Sequence, residues 1–114
     1  MMNQKNVLSS YQVRVAVDSN KNSEFIEFCH SIYNEFRKEI GFRNLNIYQD
    51  VGRSNVYVMV CEWEYQEARE NHLRGDGFSL LKGGAIVLGK NFKLTIHETT
   101  TTEYSQWKRL KIPW

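Results

Sequence analysis

The sequence predicts an α+β domain in which helices cover one face of a four-stranded antiparallel sheet. Residues 11–17 and 92–100 alternate apolar and polar side chains, which is typical of strands with one buried face. Residues 45–50 and 56–63 are two further strand-like segments joined by a short polar turn, so they predict a hairpin. A segment with the helical periodicity of apolar residues follows the first strand, and another follows the hairpin. The resulting β-α-β-β-α-β order is the ferredoxin-like arrangement.

The length of 114 residues indicates a single domain. We expect residues 11–100 to form it, with 1–10 as an N-terminal extension and 101–114 as a tail available to a dimer partner. The 15 basic and 13 acidic residues are spread along the chain, so we expect no nucleic-acid partner. No apolar segment approaches the roughly 20 residues of a membrane-spanning helix, so we expect no membrane partner. Cys29 and Cys61 lie among apolar neighbours, which predicts buried reduced thiols and a cytoplasmic location.

The first strand and first helix each present one apolar face. The strand directs four apolar side chains to one side: Tyr11, Val13, Val15 and Val17. The helix is predicted to begin at Asn22 or Ser23, which are both good caps. Its apolar residues recur at three- and four-residue steps: Phe25, Cys29, Ile32, Tyr33, Phe36 and Ile40. Gly41 then supplies a left-handed stop to this helix.

The strand over 56–63 is apolar on both faces. One row consists of Tyr57, Met59, Cys61 and Trp63, and the other of Val56, Val58 and Val60. Both crossovers of this topology run on one side, so the helices can cover only one row. We assign the Trp63 row to the helices and the Val row to a homodimer interface with a second copy of the sheet. The alternative is that the Val row is ordinary scattered surface hydrophobicity.

The second half of the chain contains the less regular elements. A second helix is predicted over 66–74, and Arg69 is expected to face solvent on it. Residues 78–82 favour one further helical turn, while Gly83 and Gly84 are predicted to form a chain turn.

A histidine follows the Trp at the end of the hairpin by nine residues. Trp63 closes the strand, and His72 lies one helical turn after Ala68 on the face directed at the sheet. Both rings can therefore reach one pocket between the sheet and the helices. Histidine titrates near neutral pH and can accept a phenolic proton, while an indole can stack on a flat molecule. The alternative for Trp63 is a core residue that packs the second helix on the sheet. The alternative for His72 is a ring that is hydrogen-bonded into the core or that caps the helix–loop junction.

Four other side chains are candidates to bind a small aromatic substrate in this pocket: Tyr33, Tyr57, Met59 and Phe78. His30 and His97 have no partner at metal-ligand spacing, so we predict no metal site. The sequence contains no dinucleotide, P-loop or flavin motif, so we also predict no bound cofactor.

Several of these features together resemble a known family. They are Phe25, Glu39-Ile40-Gly41, the segment 45–48, Asp50, Glu62-Trp63, Ala68, His72-Leu73 and Phe78. The chain resembles, over residues 11–100, the antibiotic biosynthesis monooxygenase-like group of the dimeric α/β-barrel superfamily. The resemblance implies a dimer and an enzyme, and the group includes cofactor-free monooxygenases of polycyclic phenols, haem-degrading enzymes and isomerases.

The sequence departs from two of these subgroups. Monooxygenases of polycyclic phenols often carry an Asn on the strand that leads to the Trp, where this chain has Met59 and Cys61. The haem-degrading members depend on an Asn in the inward row of the first strand, which here contains none.

Three hypotheses for the function follow. The first is a cofactor-independent monooxygenase of a small aromatic or quinol-like molecule, with His72 and Trp63 as catalytic residues. The second is an isomerase or a haem-binding or haem-degrading enzyme on the same scaffold. The third is a non-catalytic ligand-binding dimer, which a pocket filled by its own Tyr and Met side chains would favour.

Overall fold

A computed structural model describes residues 9–97 and 107–110 of the chain. The strands are β1 (Ser9–Val17), β2 (Phe42–Asp50), β3 (Val56–Trp63), β4 (Gly89–His97) and β5 (Trp107–Arg109). The helices are α1 (Asn22–Phe36), α2 (Gln66–Leu73) and α3 (Asp76–Leu88). The sheet order is β4-β1-β3-β2-β5, and all neighbouring strands are antiparallel. The predicted fold class is confirmed, and β5 adds a strand beside β2 from the segment predicted to be a tail.

The core lies between the helices and the two central strands, β1 and β3. Their register places Tyr11 opposite Cys61 and Val13 opposite Met59. The inward rows of both strands are fully or almost fully buried in one cluster with the apolar faces of α1 and α3. The assignment of the Trp63 row to the helix side is therefore confirmed. Both cysteines are free and buried, as expected.

The end of α1 differs from the prediction. The helix ends at Phe36, and Ile40 is 83% exposed rather than part of the apolar stripe. The chain turns here because the Glu39 amide donates to the Phe36 carbonyl at 2.9 Å and the Phe42 amide donates to the Glu39 carbonyl at 3.2 Å. Gly41 has the expected left-handed conformation, with φ 85°, but it leads into β2 instead of closing the helix.

The prediction of a chain turn at Gly83 and Gly84 is wrong, because both lie inside the 13-residue helix α3. Each glycine costs a helix about 1 kcal/mol relative to alanine. Packing outweighs this cost, because α3 buries Leu81 and Ala85 in the core. Gly84 also lets α3 approach α1 closely, since a Cβ at this position would overlap the ring of Phe28. The final strand accordingly begins at Gly89, three residues earlier than predicted.

The Val row does not form a bare surface. Val56, Val58 and Val60 are 2%, 2% and 6% exposed in the single chain, although they are not part of the helix-side core. The reason given above for a second copy, an uncovered apolar face, is therefore not met. The homodimer itself stays a prediction. Residues 9 and 10, predicted to belong to an extension, are part of β1.

Across the part of the chain that the structure describes, the helices are too short or too polar to cross a bilayer.

Candidate active site

His72 lies on α2 with its side chain fully buried and both ring nitrogens hydrogen-bonded. Its Nε2 is 2.8 Å from the Tyr11 hydroxyl, and its Nδ1 is 2.9 Å from Glu39 Oε1. An ionised carboxylate can only accept, so Nδ1–H donates to Glu39. In the neutral imidazole Nε2 then carries the lone pair, and the Tyr11 hydroxyl donates to it. The tautomer of His72 follows from these two partners.

Burial sets the protonation of this group. It lowers the pKa of His72 from the ordinary value of 6.5, while the hydrogen bond and the charge of Glu39 act in the opposite direction and only partly compensate. Burial also raises the pKa of Tyr11 well above 10.0, and the neighbouring Cys61 and Glu39 contribute in the same direction. Near neutral pH the site therefore holds a neutral imidazole and a neutral phenol.

Four rings surround the imidazole and form an aromatic enclosure. The Trp63 ring lies 4.4 Å away at a tilt of 31°, and the Phe36 ring 4.3 Å away at 76°. Tyr11 stacks on His72 at 5.5 Å, and Phe78 lies at 6.1 Å. The indole Nε1 of Trp63 is buried without a hydrogen-bond partner among the described residues. The imidazole of His72 is thus surrounded by aromatic rings, except where its two nitrogens bind the Tyr11 hydroxyl and the Glu39 carboxylate.

The structure brings together some of the predicted site residues and separates others. Trp63, His72 and Phe78 lie together. Tyr33 is separated from Trp63 by one ring, because it contacts Phe42, which in turn contacts Trp63.

Tyr57 and Met59 lie away from the imidazole. Tyr57 packs on Phe25 at 4.5 Å and donates to Asn22 Oδ1 at 3.0 Å, six residues before Trp63 on β3. Met59 is fully buried in the middle of the core. The structure therefore does not place these two side chains beside His72, and their predicted role in substrate binding stays untested.

Sequence reasoning missed Tyr11 and Glu39 as site residues. Tyr11 was assigned only to the inward row of β1, and Glu39 only to the segment with Gly41. Arg69 was expected to face solvent, which is wrong, because it is 1% exposed. Its guanidinium donates to the Ser10 carbonyl at 3.4 Å and to Glu70 Oε2 at 3.0 Å, while its long stem is covered.

Glu39 is the member of the site that reaches solvent, since its side chain is 32% exposed. It borders a surface pocket of about 550 Å³, which we call the outer pocket. The outer pocket is lined by Lys38, Glu39, Ile40, Tyr65, Glu67, Ala68, Asn71 and His72. A smaller pocket of about 370 Å³ lies on the α3 side of Glu39. Within the described ranges, no three His, Cys, Asp or Glu side chains converge as a metal site would require.

The free energy of unfolding should be highest between about pH 6.5 and 9.0, the ordinary pKa values of His and Cys. Below this range the unfolded chain binds a proton at His72 that the folded chain resists. The free energy of unfolding therefore decreases as the pH is lowered. Above it the unfolded chain loses protons from Cys29 and Cys61, whose pKa values burial raises in the folded chain. Urea denaturation across the pH range measures both limbs. A flat acidic limb would contradict the assignment of His72 as buried and neutral.

The comparisons with known proteins agree with this fold. A family model described as antibiotic biosynthesis monooxygenase matches residues 10–81. The Bacillus subtilis (strain 168) protein named "Putative monooxygenase YcnE" is 25% identical over 95 residues, which cover 83% of this chain and 96% of that protein.

Two solved structures show the same fold at lower identity. A conserved protein from Methanosarcina mazei Go1 has a TM-score of 0.73 at 22% identity, covering 85% of this chain and 97% of its own. A mutant of SnoaB, a cofactor-independent oxygenase from Streptomyces nogalater, has a TM-score of 0.71 at 18% identity, covering 83% of this chain and 95% of its own. Because the family model spans more than half of the sequence, the chain belongs to the antibiotic biosynthesis monooxygenase family.

Proposed function

We propose that this protein is a cofactor-independent monooxygenase that oxidises a small, flat, quinol-like molecule. The observation that carries the proposal is the neutral His72, held as the Nδ1–H tautomer inside the aromatic enclosure. A neutral imidazole with a directed lone pair is a competent general base near pH 7. Membership of the family supports a monooxygenase, and the name of SnoaB supports chemistry without a cofactor.

The proposed reaction begins with proton transfer from a substrate hydroxyl to His72 Nε2. The Tyr11 hydroxyl now occupies this lone pair, so it must turn toward the substrate or pass the proton on. The resulting anion transfers an electron to O2, and the two radicals combine in a C–O bond to give a peroxide. Loss of water then leaves one oxygen atom on the ring. The balance is one hydroquinone plus one O2 giving one hydroxyquinone plus one water, so the substrate supplies all the electrons.

The enclosure has a physical role in this scheme. The rings of Trp63, Phe36 and Phe78 pack around His72, so they would exclude water from a planar substrate bound beside the imidazole. Exclusion of water protects the anion from reprotonation, and the enclosure would hold the anion where O2 can reach it. Holding the substrate hydroxyl next to His72 makes the proton transfer effectively unimolecular, which lowers its entropic cost.

Oxygen consumption with a panel of substituted hydroquinones tests the proposal. We expect turnover above the autoxidation rate of heat-inactivated protein, and this turnover should survive dialysis against a metal chelator. With oxygen-18 gas, mass spectrometry should find one labelled atom in the quinone product and the other in water. Incorporation of no label, or a rate no greater than autoxidation across the panel, would refute the monooxygenase.

One observation favours a second candidate function, a ligand-binding protein that does not turn its ligand over. Side chains of the chain itself fill the space beside His72. Tyr11 and Met59 are fully buried, and the Tyr11 hydroxyl occupies the only lone pair of the His72 ring. A protein that binds a ligand without turnover fits this arrangement. Anaerobic calorimetry that shows hydroquinone binding, together with no oxygen uptake in air, would support this second function over the first.

Haem ligation by His72 is disfavoured by the same geometry. Both ring nitrogens are engaged and the side chain is fully buried, so iron would have to displace Tyr11 or Glu39.

A further inference from the structure

Three side chains form a line of hydrogen bonds from the core to the surface. The Tyr11 hydroxyl donates to His72 Nε2 at 2.8 Å, and His72 Nδ1–H donates to Glu39 Oε1 at 2.9 Å. Both donors point in the same direction, outward from β1. A proton that arrives at Nε2 can therefore be matched by the departure of the Nδ1 proton to Glu39. The Nε2–H bond forms, the Nδ1–H bond breaks, and the imidazole is neutral before and after.

Solvent exposure changes along this line. Tyr11 and the side chain of His72 are fully buried, whereas the Glu39 side chain is 32% exposed and borders the outer pocket. A proton accepted by Glu39 can pass to water in this pocket. Glu39 thus has the position of the exchange point between the buried base and the solvent.

Two features of the fold allow the Glu39 carboxylate to lie between His72 and the outer pocket. Its backbone closes the turn after α1 through hydrogen bonds with Phe36 and Phe42. Its Oε2 lies against the backbone of Gly77 at the start of α3, where an added Cβ would overlap this oxygen and lie 3.3 Å from the Phe36 ring. Glycine at position 77 is therefore what leaves room for the carboxylate between α3 and His72.

Few charged or titratable groups face the ring of His72. Tyr11 approaches from β1 and Glu39 from the turn after α1, with the Cys61 thiol of β3 beyond Tyr11. The sides formed by α1, α3 and the end of β3 are aromatic rings: Phe36, Phe78 and Trp63. Lys38 and Glu67 are the other charged residues that line the outer pocket. Among the described residues, Glu39 is the anion in hydrogen-bond contact with the imidazole.

We infer that Glu39 is the positioning residue of His72 and the solvent end of a proton-transfer chain, Tyr11–His72–Glu39, whose geometry depends on Gly77. The catalytic part of this inference rests on the proposed function: the proton taken from the substrate leaves through Glu39 instead of staying on the imidazole. The structural part concerns the protein without substrate and can be measured there.

Nuclear magnetic resonance of isotopically labelled histidine tests the inference in the substrate-free protein. The wild type should show the Nδ1–H tautomer of His72 at neutral pH. Glu39→Gln removes the charge that raises the pKa of His72, so this pKa should fall further, by about one unit. Gly77→Ala should produce a fall of the same sign, because it displaces the carboxylate without changing any titratable group.

Gly83→Ala is the matched control for Gly77→Ala. It lies in the same helix, and an added Cβ there meets nothing within 4 Å. The pKa of His72 should be unchanged in this variant. The inference is overturned if Glu39→Gln leaves the pKa of His72 where it was, or if Gly83→Ala shifts it as much as Gly77→Ala. It is also overturned by the Nε2–H tautomer in the wild type.

Chemical rescue provides a measurement that does not depend on how Gly77→Ala folds. Glu39→Ala leaves a gap next to the outer pocket, which is open to small solutes. Added formate should raise the pKa of His72 back toward its wild-type value in a saturable way, whereas chloride at equal ionic strength should not. No response to formate would count against a specific carboxylate role.

The outcomes separate this inference from the proposed function. If no quinol is oxidised but the pKa and tautomer of His72 respond as described, the monooxygenase fails and the positioning role of Glu39 stands. If quinols are oxidised and the pH profile of kcat/KM is the same in Glu39→Gln as in the wild type, the proton chain fails and the monooxygenase stands.

Discussion

Replacement of His72 by alanine is expected to lower kcat/KM for a hydroquinone substrate by about 100- to 10,000-fold, the usual contribution of a general base. The imidazole is the neutral base in contact with the enclosure, whereas burial raises the pKa of Tyr11, whose hydroxyl lies 2.8 Å from His72 Nε2. Without His72 the substrate must ionise unaided in an apolar space, which disfavours the anion. Initial rates of oxygen uptake at several substrate concentrations measure the effect.

Two further variants make this result specific. His30→Ala removes an exposed histidine from α1 and should retain wild-type kcat/KM. His72→Gln keeps polar atoms between Tyr11 and Glu39 but lacks a base, so it should be as inactive as His72→Ala while losing less stability. Urea denaturation of each variant establishes that the measured protein is folded. Wild-type turnover by folded His72→Ala would remove His72 from the mechanism.

Substitution of Gly41 by alanine is expected to reduce the free energy of unfolding by about 2–5 kcal/mol. Part of this loss, about 1–2 kcal/mol, comes from a side chain at φ 85°, where L-residues are strained. The rest comes from overlap of the new Cβ with the Cβ of Ala68, since overpacking typically costs about 1–3 kcal/mol. Urea denaturation monitored by tryptophan fluorescence measures the change.

A double variant separates the two contributions. Ala68→Gly removes the methyl group that Gly41→Ala would strike, but a glycine in α2 itself costs about 1 kcal/mol. Measured against Ala68→Gly alone, the double variant should therefore show the backbone strain without the overlap. Gly83→Ala again serves as the control, because open space surrounds this helical position, and it should stabilise by roughly 0.5–1 kcal/mol. A loss below about 0.5 kcal/mol for Gly41→Ala would show that the close approach of the β2 entry to α2 is unimportant.

Two of the segments that carry the family resemblance form one structural unit. Glu39-Ile40-Gly41 and Ala68-x3-His72 are separate in sequence, yet Gly41 lies against Ala68 while Glu39 hydrogen-bonds to His72. The same close approach that makes Gly41 necessary brings α2 to the distance at which the carboxylate reaches the imidazole. The Gly41→Ala variant therefore tests stability and the site together.

The secondary structure that the sequence predicts best is the part governed by simple periodicity. The strand over 56–63 has the predicted bounds, and the inward row of β1 is the predicted one. Both succeed because a period of two assigns each side chain to a face. The errors fall where packing opposes local preference. Gly83 and Gly84 favour a turn locally, but α3 continues through them because it covers the core. Ile40 continues the helical period but follows the true end of α1.

The same distinction applies to the site. The meeting of Trp63 and His72 was predictable, because both belong to short segments whose strand and helix periods direct them at the same core. The pairing of His72 with Glu39 and Tyr11, which lie 33 and 61 residues away, was not. Hydrogen bonds over such separations depend on a turn, a glycine contact and the packing of three elements, and none of these produces a periodic pattern in the chain. Local patterns thus account for the faces and for the two rings, and tertiary packing decided which groups hold the imidazole.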